Sequence, residues 1–191
     1  YCLSVDTGRT VWKYAFPGTK GKYEGPKCTP VIDGDRVYIL SQDGLMLCND
    51  AKNGKVIWQK DLVEEFGTKM PHWSSSSSVC IEGDIAIVNA STSGIAVNKI
   101  TGEKIWTSES GTGNYSTPVT FKIEDELYSA IYGLKHLHTV NIKNGKIKWS
   151  YPWQTKYNII AADPYVYGTK IFISSCFTFF SLFILWSGKR K

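Results

Sequence analysis

Short runs of apolar, β-branched and aromatic residues are separated by polar turn residues along most of the chain. The run 36–40 is one example, and it follows the turn residues Asp33, Gly34 and Asp35. Because these runs are short and no helical period lies between them, the pattern predicts strands and no helices. The predicted strands include residues 29–32, 36–40, 45–49, 55–59, 78–81, 84–88, 117–120, 126–130 and 170–175.

One sequence element occurs four times: a Thr or Asn, then Gly, then three residues, then Trp. Successive tryptophans are 46, 48 and 43 residues apart. Asn-Gly and Thr-Gly are hairpin turn signals, because Gly accepts a positive φ without steric cost. The regular spacing gives these residues a structural role rather than a ligand-binding one. The four copies are Gly8 with Trp12, Gly54 with Trp58, Gly102 with Trp106, and Gly145 with Trp149.

Ten residues before each of these tryptophans stands a small or modest side chain, and two residues after that stands a polar one. A small side chain allows close packing, so that a large flat indole can cover a neighbouring sheet. The small residues are Cys2, Cys48, Ala96 and Thr139, and the polar residues are Ser4, Asp50, Asn98 and Asn141.

Two further strands before each such hairpin give four antiparallel strands in a unit of about 46 residues, which is typical of a propeller blade. A β-sandwich offers no reason for one Gly-x-x-x-Trp element to occur four times. We therefore expect an all-β protein, a β-propeller of four-stranded antiparallel blades, with about four blades in an incomplete ring. The expected units are 1–27 (the end of one blade), 28–72, 73–114 and 115–160 (one blade each) and 161–175 (the start of the next).

These repeats resemble the tryptophan-docking motif of the pyrroloquinoline-quinone (PQQ) repeat propellers, the quinoprotein alcohol dehydrogenase-like superfamily. The full motif there is Ala-x-Asp-x-x-Thr-Gly-x-x-x-Trp, and Ala96, Asn98, Thr101, Gly102 and Trp106 follow it most closely. The resemblance covers residues 1–175. Within the superfamily the chain is most similar to uncharacterised exported bacterial members and to BamB-like propellers. This implies a non-catalytic scaffold in a periplasmic or exported setting.

The length of the chain predicts an incomplete ring. Rings of this family usually have seven or eight blades, which needs roughly 320–370 residues at this spacing, and the chain has 191. We expect a fragment of a larger propeller, unless two copies close a ring together. In the apolar tail, residues 176–191, Gly188 falls in register with Gly145. We interpret the tail first as a degenerate fifth blade, then as out-of-frame sequence, and last as a membrane anchor, which needs about 20 apolar residues.

Composition and charge exclude several classes of protein. A hydrophobic content of 42% excludes disorder. The net charge of +5 is spread along the chain, so we expect no binding of nucleic acid. The five cysteines lack the close spacing of a zinc or redox site and are predicted to pack as small apolar residues. No signal peptide is visible in this sequence.

For the enzymatic members, the superfamily resemblance implies an adjacent Cys-Cys disulfide, a catalytic Asp and a calcium site beside PQQ. No Cys-Cys pair occurs here, and Asp163, the one acid in a buried-looking context, has no recognisable set of partners. We expect no cofactor and lean against an enzyme. The alternative hypothesis is that the chain is part of a PQQ-dependent alcohol dehydrogenase of the polyvinyl-alcohol type, and only under it do we expect PQQ with calcium. The third hypothesis is a degraded gene fragment. His136, His138 and the serines 74–78 are interpreted as structural, since no third ligand or base accompanies them.

Residues in or just before the innermost strands are the candidates for ligand binding, because propellers form the mouth of their channel there and ligands commonly occupy such mouths. A rigid face of this kind suits a protein or saccharide partner, and membrane contact is expected only through the tail 176–191. The candidate residues are His72, Trp73, Tyr115, Asn158 and Asp163.

Overall fold

The computed structural model describes residues 1–16, 18 and 27–175, together with the backbone of 182–185. In this part of the chain the strands form five antiparallel sheets that follow one another in sequence. The first sheet has two strands, the next three have four each, and the last has three. The strands are β1 (Cys2–Leu3) and β2 (Thr10–Trp12); β3 (Val31–Asp33), β4 (Arg36–Leu40), β5 (Leu45–Asp50) and β6 (Val56–Asp61); β7 (Cys80–Glu82), β8 (Ile85–Val88), β9 (Ile95–Asn98) and β10 (Lys104–Thr107); β11 (Val119–Ile123), β12 (Glu126–Tyr132), β13 (His136–Asn141) and β14 (Ile147–Pro152); β15 (Tyr165–Tyr167), β16 (Lys170–Ile173) and β17 (Leu182–Leu185).

Each sheet is built in sequence order, so that every strand pairs with the next one along the chain. The first strand β11 contacts both β7 and β15, the first strands of the sheets before and after it, which places these strands at the centre. The repeated tryptophans lie on the last strand of their sheets, at the outside. The predicted all-β propeller of four-stranded antiparallel blades is confirmed.

Hydrophobic cores lie between consecutive sheets. Tyr38 and Leu40 of β4 pack against Ala86 and Val88 of β8 in the first core. Ile87 and Trp106 pack against Ile131 and Val140 in the second, and Tyr132 and Leu137 pack against Ile171 and Ile173 in the third. Because both faces of an inner strand are covered in this way, the strands are buried on both sides, and their sequences run apolar without strict alternation.

The small residue predicted before each tryptophan lies directly opposite it on the neighbouring strand. Cys48 is the cross-strand partner of Trp58, Ala96 of Trp106, and Thr139 of Trp149. The polar residue two positions later closes the hairpin turn, since Asp50 and Asn98 each accept two backbone N–H groups with one side-chain oxygen.

The expectation of no helices is wrong at one place. Residues Leu62–Phe66 form a short helix, α1, directly after β6. The Asp61 side chain accepts hydrogen bonds from the backbone N–H groups of Val63 and Glu64, and Gly67 ends the helix in the left-handed conformation. One turn of helix is too short for a hydrophobic period, so only these two capping residues mark it in the sequence.

The tail, residues 176–191, lies outside the described residues except for the backbone of β17, which pairs with β16. The three interpretations of the tail therefore stay predictions. Among the described residues, no helix is both long and apolar enough to cross a membrane.

Candidate functional site

The docking of tryptophan on glycine joins consecutive sheets. A Cβ atom added to Gly54 would lie 2.5 Å from the Trp12 ring, and one added to Gly102 would lie 2.8 Å from the Trp58 ring. Trp106 covers Gly145 in the same way. All three glycines have a positive φ near 74°. Each position therefore requires glycine for two reasons: the turn has a positive φ, and the indole fills the space that a side chain would occupy.

The indole N–H fixes the register of each docked pair. Trp12, Trp58 and Trp106 donate through Nε1 to the backbone carbonyls of Ala51, Lys99 and Ile142, at 2.8, 3.0 and 2.6 Å. Each of these carbonyls belongs to the residue three positions before the docking glycine. The same two contacts thus join each of the first four sheets to the next one among them.

A second chain of hydrogen bonds links the inner ends of the sheets. The backbone N–H of Thr29 donates to Ser78 Oγ at 3.1 Å, and that of Ser78 donates to Thr117 Oγ1 at 3.3 Å. The backbone N–H of Thr117 donates in turn to a carboxylate oxygen of Asp163. These four residues occupy the equivalent position before the first strand of each of the last four sheets. We call them the inner ring; it ties each sheet to the next around the centre.

The inner ring changes the interpretation of Asp163. The expectation that Asp163 is buried is wrong, because its side chain is exposed in the described structure. Small neighbouring alanines and a following proline suggested burial, but burial here depends on the sheets on either side. Aligning Thr29-Pro30, Thr117-Pro118 and Asp163-Pro164 would have revealed the equivalence from sequence.

The structure brings three of the candidate residues together. The Trp73 backbone N–H donates to the Tyr115 hydroxyl at 3.2 Å, and the His72 and Trp73 rings meet edge to face with their centroids 4.8 Å apart. Burial raises the pKa of Tyr115, partly offset by the hydrogen bond from Trp73. Lys27 Nζ donates to the Trp73 carbonyl at 2.6 Å. We call His72, Trp73 and Tyr115 the aromatic cluster.

Asn158 belongs to a network centred on Asn114 that the sequence did not reveal and that also reaches the backbone N–H of Tyr115. Asn114 is buried, and its Nδ2 donates to the carbonyls of Gly133 and Asn158 at 3.1 and 3.3 Å. Its Oδ1 accepts the backbone N–H of Ile160. Asn158 has a positive φ of 54°. This network holds the connection between β14 and β15, from the fourth sheet to the fifth, and only its position just after Gly113 marks Asn114 in the sequence.

The two histidines on β13 lie side by side, as the strand period predicts. Their ring centroids are 5.7 Å apart, and His138 Nδ1 lies 2.8 Å from Ser150 Oγ. Burial, and secondarily the charge of His136, lowers the pKa of His138 to about 4. Among the described residues, no group of three or more His, Cys, Asp or Glu side chains could hold a metal ion.

Comparison with known proteins identifies the family. The family model of the outer membrane protein assembly factor BamB, a PQQ-repeat model, matches residues 1–178. The chain belongs to this family of PQQ-like propellers. BamB of Aliivibrio fischeri is 36% identical over 56 residues, which is 29% of this chain and 14% of that protein. The chain thus spans only a small part of this curated relative.

Two solved structures show the same fold at low sequence identity. BamB from Moraxella catarrhalis superposes with a TM-score of 0.67 and 16% identity, covering 91% of this chain and 51% of that one. The quinohemoprotein alcohol dehydrogenase ADHIIG from Pseudomonas putida superposes with a TM-score of 0.54 and 14% identity, covering 78% of this chain and 28% of that one. The predicted membership of the PQQ-like propeller repeat family is confirmed by the family model over residues 1–178, and the two structures confirm the fold.

Proposed function

We propose that this chain is a non-catalytic propeller unit that binds a protein partner in a periplasmic or exported setting. The family supports this setting and this class of function, because the matching model and the curated relative are both named as outer membrane protein assembly factors. The partner site that we propose is the aromatic cluster with the loops around it.

The exposed side chain of Trp73, on a backbone held by two hydrogen bonds, carries the proposal. Trp73 is 36% exposed, while its backbone is held on one side by Tyr115 and on the other by Lys27. Because an aromatic side chain has only two rotatable bonds, it loses little conformational entropy on binding when its backbone is held in this way, and Trp and Tyr are enriched among the residues that dominate protein interfaces.

Further exposed apolar side chains lie at the same end of the blades. Antiparallel order places the connections between sheets and the loops between second and third strands at one end of every blade. Val63 and Tyr157 on the connections and Leu134 on such a loop are 40%, 57% and 38% exposed. Together with Trp73 they add exposed apolar and aromatic side chains to this end of the blades, which suits a protein partner.

The alternative, part of a PQQ-dependent alcohol dehydrogenase, receives less support from the residues themselves. The acid that such a site would use, Asp163, accepts the Thr117 backbone N–H in the inner ring, at a position that the other blades fill with hydroxyls. Within the described part of the chain, Asp163 belongs to no group of three or more His, Cys, Asp or Glu side chains that could hold a metal ion. The residues present therefore do not fit PQQ with calcium.

Site-specific photocrosslinking tests the partner site. With p-benzoylphenylalanine at position 73, in chains secreted to the periplasm of a bacterial host, we expect one dominant protein adduct that is absent when the same group replaces Ile105. Ile105 is a matched control, because it is also exposed, at 39%, but lies on the outer strand β10. No adduct at position 73, or equal adducts at both positions, would refute the site.

Two further measurements separate the other candidate functions. Binding of an immobilised glycan that is lost in Trp73→Ala would replace the protein partner with a saccharide. Titration with PQQ and calcium that gives stoichiometric binding and alcohol-dependent dye reduction would overturn the non-catalytic assignment.

A further inference from the structure

Two of the three histidines of the chain lie two positions apart on β13, the third strand of the fourth sheet. Because side chains alternate between the two faces of a strand, His136 and His138 project from the same face. Their ring centroids are 5.7 Å apart, and the ring planes are inclined at 34° to each other. The start of β13 therefore presents two neighbouring imidazoles, one exposed and one half-buried.

The separation of the two rings suits the chelation of a single metal ion. Zn²⁺ binds an imidazole nitrogen at about 2.0–2.1 Å and prefers tetrahedral angles between its ligands. Two imidazoles on one such ion have ring centroids about 5–6 Å apart, because each centroid lies on the line from the metal through the binding nitrogen. The observed 5.7 Å falls in this range. The backbone of β13 therefore already holds the two rings at the spacing that a shared ion requires.

A serine on the neighbouring strand orients one of the two rings. Ser150 lies directly opposite His138 in the register of β13 and β14, and its Oγ is 2.8 Å from His138 Nδ1. In the tautomer with a proton on Nδ1, this N–H donates to the hydroxyl, and Nε2 keeps its lone pair. Metal-binding histidines almost always donate their second ring N–H to an acceptor, which fixes the orientation of the ring and makes the binding nitrogen more basic. Ser150 is an acceptor in this position.

A glycine keeps other side-chain atoms away from His138 Nε2. A Cβ atom added to Gly133, in the loop before β13, would lie 3.0 Å from Nε2 and 2.6 Å from the carbonyl oxygen of Thr92 in the preceding blade. Gly133 lacks the positive φ of the docking glycines, so the close approach of these two atoms, and not the conformation of the loop, requires glycine here. Nε2 and a backbone carbonyl oxygen therefore border the same side-chain-free position.

We propose that His136 and His138 together bind one divalent transition-metal ion, such as Zn²⁺ or Ni²⁺. His138 binds through Nε2 while its Nδ1–H donates to Ser150, and His136 supplies the second nitrogen from its exposed ring. Imidazole is a preferred ligand of zinc, nickel and copper, whereas Mg²⁺ prefers carboxylate, carbonyl and water oxygens. Water occupies the other positions of the ion, and the Thr92 carbonyl can accept a hydrogen bond from such a water molecule.

Isothermal titration calorimetry of the untagged full chain with Ni²⁺ tests this site. We expect one ion per chain at the pair and no binding of Mg²⁺ under the same conditions. His136→Gln and His138→Gln should each weaken Ni²⁺ binding at least about tenfold, since two linked ligands bind far more tightly than either one alone. His72→Gln is the matched control, because it removes the remaining histidine of the chain and should leave the affinity unchanged. His136 is exposed, so its variant should keep the native fold, as circular dichroism can verify.

The absence of Ni²⁺ binding by the native chain would overturn the proposal, and so would an affinity that neither histidine variant changes. Each single variant could instead lose one of two equal ions per chain without a change in affinity. That result would also overturn the proposal, because it would mean that the two rings bind separate ions.

Nuclear magnetic resonance of the imidazole nitrogens tests the proposed geometry. On addition of Zn²⁺, the Nε2 signal of His138 and one nitrogen signal of His136 should shift together, while Nδ1 of His138 keeps its proton. Ser150→Ala should weaken Zn²⁺ binding by about 10–100-fold. Ser110→Ala is the control, since Ser110 is also exposed and also hydrogen-bonded, to the Gly67 carbonyl at 2.7 Å, but lies on another blade. Loss of the Nδ1 proton, or equal affinities of the two serine variants, would overturn the proposed orientation of His138.

Discussion

At the scale of single residues, the docking glycines show why one short motif can specify the contact between two sheets. Gly102 allows the tight hairpin turn through its φ of 74° and leaves room for the Trp58 ring. The carbonyl of Lys99, three positions earlier, accepts the Trp58 indole N–H. Conformation, shape and hydrogen bonding therefore all depend on a few consecutive residues, and this makes the motif readable in sequence.

Gly102→Ala should destabilise the protein more than the conformation of the turn alone explains. The positive φ disfavours alanine by about 1–2 kcal/mol, and the added Cβ, 2.8 Å from the Trp58 ring, adds about 1–3 kcal/mol of overpacking. Gly83→Ala is the control, because Gly83 has a φ of 56° but open space around its Cβ. Urea unfolding followed by circular dichroism measures both, and equal losses would show that the indole does not restrict this position.

At the scale of elements, the segment just before the first strand of each blade performs the same task with different residues. Ser78, Thr117 and Asp163 each accept a backbone N–H from the preceding member of the inner ring. The task requires a short side chain with an acceptor oxygen, and hydroxyl and carboxylate both satisfy it. An isolated acid near the centre of a propeller can thus be a structural link between blades.

Asp163→Ser should therefore retain most of the stability of the native protein, since a hydroxyl fills this position at Ser78 and Thr117. Asp163→Ala should lose about 0.5–1.5 kcal/mol, the usual contribution of one hydrogen bond. Thermal unfolding of the two variants beside the native chain gives the comparison. If Ser and Ala destabilise the protein equally, the carboxylate has another role at this position.

Much of this fold could be predicted from sequence because its signals are local. The strands, the Gly turns and the tryptophan spacing each occupy fewer than about ten residues and recur, so one copy supports the interpretation of the next. Helix α1 escaped notice because five residues carry no period. The exposure of Asp163 and the network of Asn114 depend on contacts between residues more than forty positions apart. The aromatic cluster could be predicted only in part: the position of its residues before the inner strands made them candidates, but their contacts with one another could not be predicted.

At the scale of the whole molecule, stability is a sum of interfaces between neighbouring sheets, as in other repeat proteins. The interface around Trp58 joins two complete four-stranded sheets through the largest described core, whereas Trp12 joins the two-stranded sheet β1–β2 to the same blade. Identical docking contacts should therefore contribute different amounts to the free energy of global unfolding, according to the size of the sheets and cores that they join.

Trp58→Ala and Trp12→Ala, compared in dilute solution, test this dependence on context. Trp58 is 8% exposed, and its removal should reduce the free energy of unfolding by about 3–5 kcal/mol, as for other buried aromatic residues. Trp12→Ala removes an equivalent indole and the same kind of hydrogen bond. Because β1–β2 can separate without opening a complete blade, the main transition should lose less than about 1 kcal/mol. Equal losses in urea unfolding would mean that β1–β2 unfold together with the complete blades, and that the chain behaves as one cooperative unit from its first strand onward.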